Sequence, residues 1–271
     1  MKITGTTVVF TILAHPSTRV VAPSIYNHIF ASLNLDMVYI AHDVSPEAIA
    51  NTLRAYRSWH NLKGFNVTIP HKQTVAGCLD MLCPISSHTG VVNTVARRQD
   101  GSLLGYNTDG IGALHALGDV KGSHCLIIGA GGAARAIIDA LLHGGAKHIY
   151  ILNRSESRAL QVLDLFPPDT ISLFQRDLLK EMDIIIQATP ITDSIPFDVD
   201  FSHLHHDTRL FETVMRPTAF FQKGYEMGFK VIPGHAMLYH QTKRNFKLFT
   251  GMELEEKLLR DAFEQGGFQL P

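Results

Sequence analysis

Apolar runs alternate with amphipathic stretches through the first part of the chain. Residues 8–13, 37–41 and 64–68 read as strands, and 24–33 and 46–59 between them as helices. Strands separated by helices are the mark of a parallel sheet with helices packed on it. The pattern changes at 91–106, where apolar runs 91–97 and 103–106 flank Gln99-Asp100-Gly101-Ser102, which predicts a hairpin. A second strand-helix-strand series starts at 125–128, passes a glycine-rich turn into a helix at 133–142, and resumes as a strand at 148–152. Two such series predict two α/β domains joined near 107–112. From about Met237 the chain reads as helical, with Leu238, Phe246, Leu254 and Leu258 at apolar positions. No internal repeat, long linker or low-complexity segment interrupts this order.

Length agrees, because 271 residues allow two domains with a core each. A chain 45% hydrophobic and 18% charged is that of a soluble globular protein. A formal net charge of −1 gives no general attraction to nucleic acid or to an anionic membrane. A small-molecule partner is expected instead, with the protein a monomer or homodimer. Cys78, Cys83 and Cys125 stand in no metal-ligand spacing and read as reduced thiols. The apolar stretch 8–13 is too short for a signal core or a membrane span, so a cytoplasmic protein is expected. The run His203-Leu204-His205-His206 lacks clear accompanying ligands, and no metal site is expected.

Gly129-Ala130-Gly131-Gly132-Ala133-Ala134 follows a strand and opens a helix, the context a dinucleotide turn requires. Glycines there let the backbone approach a pyrophosphate, and the helix start attracts its charge. At the end of the next strand an NAD enzyme usually carries an acidic residue for the ribose hydroxyls. Here stand Asn153-Arg154-Ser155, with Arg158 one helical turn further. Two guanidinium groups suit a dianionic 2′-phosphate, so NADP(H) is the expected cofactor.

The stretch Gly64-Phe65-Asn66-Val67-Thr68-Ile69-Pro70-His71-Lys72 sets a lysine at a helix start just beyond a strand end. Val92-Asn93-Thr94 and Tyr106-Asn107-Thr108-Asp109-Gly110 add amide, hydroxyl and carboxylate groups. Taken singly, a lysine is usually a solvated charge and Asn-Thr-Asp before a helix an ordinary cap. Together with the nucleotide turn and with 234–241, these stretches follow the order seen in shikimate and quinate dehydrogenases, and the chain resembles that family over nearly its whole length.

The resemblance implies an α/β protein of two domains. Residues 1–108, completed by C-terminal helices at 238–271, would bind substrate, and a Rossmann-type domain at 109–237 would bind NADP(H) across a cleft. It implies that Lys72 and Asp109 are the catalytic pair, with Asp109 holding the lysine ammonium and sharing a substrate hydroxyl. Thr68, Asn93 and Gln241 would hold substrate hydroxyls. The cofactor would lie on Gly129, Ala130, Gly131, Gly132, Ala133, Asn153, Arg154, Ser155, Arg158, Ala188, Thr189 and Gly234. The chemistry is consistent, since carbonyl reduction needs a hydride and a proton for the alkoxide, which a lysine ammonium can supply.

The match breaks at the family signature Gly-x-Pro-Ile-x-His-Ser-x-Ser-Pro. Pro16 and Pro23 keep its register, yet Val20 and Ala22 fall where its serines bind the substrate carboxylate, and Met215 replaces a substrate-contacting tyrosine. Arg19 and His15 are candidates to bind an acid in another way. The expected activity is therefore interconversion of hydroxyl and ketone on a shikimate- or quinate-like carbocycle, a cyclic hydroxy acid or an analogue, with an altered carboxylate pocket. Two competing expectations are an NADP-binding sensor with little turnover and a dehydrogenase for an unrelated substrate such as a folate. Retained Lys72 and Asp109 argue against the first, and the motif at 107–110 against the second.

Overall fold

The computed structural model describes residues 2–269; Met1, Leu270 and Pro271, which the expected domain limits include, lie outside the described residues. The chain divides into two compact units, one ending at Thr108 and resuming at Thr242, the other Asp109–Gln241.

The first unit carries strands β1 (Val8–Ala14), β2 (Met37–Asp43), β3 (Leu62–Val67), β4 (Met81–Leu82), β5 (Thr94–Arg97) and β6 (Leu103–Tyr106). Helices α1 (Ala22–Ser32), α2 (Ile49–Ser58), α3 (Lys72–Ala76) and α4 (Pro84–Thr89) connect them. The sheet order is β2-β1-β3-β5-β6-β4. β1 runs parallel to β2 and β3, while β5 is antiparallel to both β3 and β6. The hairpin read from the turn at 99–102 thus converts a parallel sheet into a mixed one. β1 lies between two strands and is covered on both faces, which is why six of its seven residues are buried. One face packs on a core that includes Leu53, Tyr56 and Val75. On the other, Phe10 meets Phe249 and Phe30 with ring centroids 4.9 and 5.7 Å apart.

The second unit begins with α5 (Asp109–Leu117). Five strands, β7 (His124–Ile128), β8 (His148–Leu152), β9 (Ile171–Leu173), β10 (Ile184–Gln187) and β11 (Arg209–Glu212), precede β12 (Lys230–Ile232). Helices α6 (Gly132–His143), α7 (Glu156–Leu163) and α8 (Ala219–Glu226) lie among them. All pairs are parallel in the order β12-β11-β10-β7-β8-β9. This is the doubly wound arrangement, whose ligand crevice lies at the carboxyl ends of the strands where the order reverses, here at β7. Helix α9 (Gly234–Thr250) contains the division between the units, and α10 (Glu256–Gln265) packs on α1. α5 lies against α6 at a glycine: a Cβ on Gly110 would stand 2.3 Å from Ala136 O, so any larger residue would part the helices. No helix among the described residues is long and apolar enough to cross a membrane.

Candidate active site

In the second unit the glycine-rich turn leaves β7 at the switch point. Gly129 has φ +121°, and a Cβ on it would lie 2.9 Å from Ala188 O. Only glycine satisfies both conditions. The turn is held by Gly129 N–H donating to Leu152 O (2.8 Å) and Ala188 N–H donating to Ile128 O (2.9 Å). Gly129, Asn153, Ala188 and Thr189 therefore stand at the carboxyl ends of three adjacent strands, β8, β7 and β10.

Gly131 caps α6 without a side-chain acceptor, and a Cβ there would meet nothing within 4 Å. The first-turn N–H groups of α6, among them those of Gly132 and Ala133, are thus left for an anion from outside the chain. After β8, Asn153 Nδ2 donates to Ser155 O (2.8 Å), and the Ser155 hydroxyl caps α7 by accepting from Arg158 N–H (3.4 Å). Arg154 and Arg158 are exposed, and among the described residues their side chains have no partner. Glycines that open space, an uncapped helix start and two uncommitted guanidinium groups fit an anionic dinucleotide with a further phosphate.

Gln187, which the sequence reading passed over, shapes the third wall. Its buried side chain accepts from Thr189 N–H (2.6 Å) and Oγ1 (2.9 Å) and donates to Thr189 O (3.1 Å) and Ile191 O (3.0 Å). A polar residue closing the apolar strand Ile184-Ile185-Ile186 was the available signal. Its neighbour Glu212, at the end of β11, accepts from Val214 N–H (2.8 Å) and from the Thr218 hydroxyl (2.5 Å). Burial pushes the Glu212 carboxyl up to about 7. Gly234 opens α9 with no room for a side chain, since a Cβ would sit 2.4 Å from Val214 O. Asp109, the first residue of α5, is buried and accepts from Gln241 Nε2 (3.0 Å).

In the first unit Lys72 opens α3, half-buried, and its carbonyl accepts from Val92 N–H (3.0 Å), which ties it to the segment carrying Asn93. Thr68, just past β3, is half-buried, and its hydroxyl has no hydrogen-bond partner among the described residues. Asn93 belongs to a buried network. Its Nδ2 donates to Thr108 Oγ1 (3.0 Å), its Oδ1 accepts from Thr108 N–H (2.9 Å), and the Thr94 and Thr108 hydroxyls each donate to Asn245 Oδ1 (2.9 Å). Asn66 extends it, donating to Thr94 Oγ1 (2.9 Å) and accepting from Tyr39 OH (2.7 Å). Asn245, 137 residues from Thr108, carried no local signal.

The segment 15–23 carries the residues that the sequence singled out around a substrate carboxylate. Ala22, buried, opens α1, and Val20 is half-buried behind the short turn Ser17–Arg19. His15 bonds Asp43 (2.8 Å), whose other oxygen accepts from Ser17 N–H (2.7 Å). These bonds, the Ser17 N–H first, hold the Asp43 carboxyl at about 2. Arg19 is exposed. Met215 is half-buried in the loop that Glu212 and Thr218 hold. His205, His206 and Asp207 bring their donor atoms within 4.8 Å, but all three are exposed and Asp207 already bonds His206 Nε2 (3.0 Å).

Residues 12–95 match the family model described as the shikimate dehydrogenase substrate binding domain, and 112–211 that described as shikimate / quinate 5-dehydrogenase. A shikimate dehydrogenase (NADP(+)) of Rubrobacter xylanophilus is 34% identical, the alignment covering 98% of this chain and 99% of that one. Among solved structures, shikimate 5-dehydrogenase of Thermus thermophilus in complex with NADP(H) and shikimate has TM-score 0.85 at 29% identity, covering 96% and 99% of the two chains. A ligand-free 5-ketofructose reductase of a Gluconobacter species has TM-score 0.83 at 28% identity, covering 95% and 98%.

Proposed function

The chain belongs to the shikimate dehydrogenase family, and from that premise we propose that it is an NADP(H)-dependent oxidoreductase interconverting a secondary alcohol and a ketone on a hydroxylated carbocycle related to shikimate. The carrying observation is the glycine-rich turn at the switch point with Arg154 and Arg158 uncommitted at the next strand end. Gly129 to Ala133, Asn153, Ser155, Ala188, Thr189 and Gly234 would hold the dinucleotide, and the two arginines its 2′-phosphate. When bound, the cofactor supplies or accepts the hydride.

The remaining steps fall to the side chains. As the carbonyl carbon gains hydride, its oxygen gains negative charge and needs one proton. Lys72 would donate a hydrogen bond to that oxygen and then the proton, leaving a neutral amine to be recharged from solvent. In the oxidation direction the hydroxyl proton would pass to the Lys72 amine or through water to solvent. Asp109, oriented by Gln241 Nε2, would accept from a substrate hydroxyl, and the open Thr68 hydroxyl and the network-held Asn93 amide would fix the remaining ones.

A substrate without a carboxylate is the second reading, favoured by Val20 and Ala22, whose side chains offer a carboxylate no hydrogen bond, and by the likeness to a reductase named for a neutral keto sugar. A cofactor-linked screen separates the two. Shikimate, quinate, their methyl esters and amides, and neutral cyclic or sugar ketones would each be offered with NADP(H). Turnover of none of them by a protein that binds NADPH would overturn the enzymatic reading in favour of a sensor.

A further inference from the structure

Arg135 stands in the first turns of α6, directly after the glycine-rich turn, and no part of the site described so far uses it. It is half-buried. Its Nε is closed to water and has no hydrogen-bond partner, and among the described residues its guanidinium forms no ion pair. Burial lowers its pKa from the ordinary arginine value.

Other covered guanidinium groups of this chain are treated differently. Arg97 donates from Nε to Tyr56 O (3.0 Å) and from Nη2 to Arg57 O (2.6 Å). Arg57 pairs with Asp80 (3.1 Å) and donates to Cys78 O (2.8 Å), and Arg209 donates to Leu117 O (2.7 Å). Arg135 is disfavoured on a second count, because the positive end of a helix dipole repels a cation in its first turns. A half-buried cation whose Nε is closed to water and unpaired costs the folded chain something at that place unless an anion completes it.

Side chains of a helix lean toward its N-terminus, so Arg135 covers the turn behind its own Cα, on the side of Gly131 and Gly132. We infer that Arg135 is a further cofactor-binding residue, its guanidinium taking a pyrophosphate oxygen of the dinucleotide beside the first N–H groups of α6. Arg154 and Arg158 follow a different strand end and serve the 2′-phosphate, so the two anionic parts of the cofactor have separate cationic partners. The inference rests on the NADP(H) reading above.

The test compares the full-length wild type with Arg135→Met, which keeps the length and removes the charge, and with Arg135→Lys, which keeps the charge and loses the planar fork. Dissociation constants for NADPH and for NADH are measured by fluorescence, and melting temperatures without cofactor by calorimetry. Because pyrophosphate is common to both dinucleotides, Arg135→Met should weaken both by the same factor, about tenfold or more, while the cofactor-free protein melts at the same temperature or higher. Arg135→Lys should fall between the two. A purely structural arginine would do the opposite, lowering the melting temperature or preventing folding, and either result overturns the inference. Unchanged constants for both dinucleotides would overturn it too, as would weakening confined to NADPH, which would place Arg135 on the 2′-phosphate. Wild-type protein that binds neither dinucleotide would overturn the cofactor reading itself, an outcome distinct from equal binding by wild type and variant.

Discussion

Val20→Ser combined with Ala22→Ser should lower KM for shikimate. A hydroxyl donating to a carboxylate contributes about 1.5–3 kcal/mol, or roughly tenfold to more than a hundredfold in affinity apiece. The structure reduces that figure. Val20 is half-buried, so replacing it loses some apolar contact, and Ala22 is buried at the first position of α1, where a new hydroxyl needs a partner while no ligand is bound. That partner is at hand, because first-turn N–H groups of a helix lack intrahelical acceptors and a serine there can bond locally. Each half of the gain is therefore offset in part, and the double variant is expected to lower KM about tenfold to a hundredfold, more than either single change.

The assay follows reduced nicotinamide by absorbance with shikimate and, separately, with its methyl ester. Only the acid should respond, since the ester lacks the charge that makes the new bonds strong. Wild-type protein that already saturates with shikimate as readily as the variant would refute the reasoning, because a backbone donor or Arg19 would then be supplying what Val20 and Ala22 cannot. Equal gains for acid and ester would also refute it, pointing to a change of loop shape.

Arg154→Ala with Arg158→Ala should reduce the preference for NADPH over NADH by about tenfold or more, read by titration of both cofactors; an unchanged ratio removes the 2′-phosphate clamp. Lys72→Ala should cut kcat by about a hundredfold or more, and Asp109→Ala most of the turnover, with NADPH affinity nearly unchanged in each; near-normal kcat in folded variant protein removes that residue from the chemistry. Glu212, pushed up to about 7 by burial, binds its proton more tightly folded than unfolded. Its contribution to stability is therefore complete below the ordinary glutamate range near 4.5 and is lost as pH rises through about 7, an effect on the order of 3 kcal/mol. Glu212→Gln cannot lose that proton, so denaturation at pH about 5 and about 8 should show a smaller fall in stability for the variant; identical pH dependence would show that another group carries it.

Local order determined what was legible in the sequence alone. The apolar periods set most strand and helix positions as far as 152, the turn at 99–102 set the hairpin, and the glycine-rich turn marked the passage from β7 to α6, where Gly129 has a φ of +121°. The order of the motifs, through the family resemblance, marked Lys72 and Asp109 as candidates, and two arginines where an acid would hold a ribose marked Arg154 and Arg158. What only the tertiary structure decided depends on partners distant along the chain. Asn245 joins Thr94 across 151 residues, Gln241 reaches Asp109 across 132, and His15 meets Asp43 across 28. Arg135 reads in the sequence as an ordinary helical arginine; its want of a partner is a matter of what surrounds it, and burial without an acceptor has no signature in one dimension. Periodicity is written by neighbours along the chain, whereas hydrogen-bond satisfaction is settled by whichever groups the fold brings together.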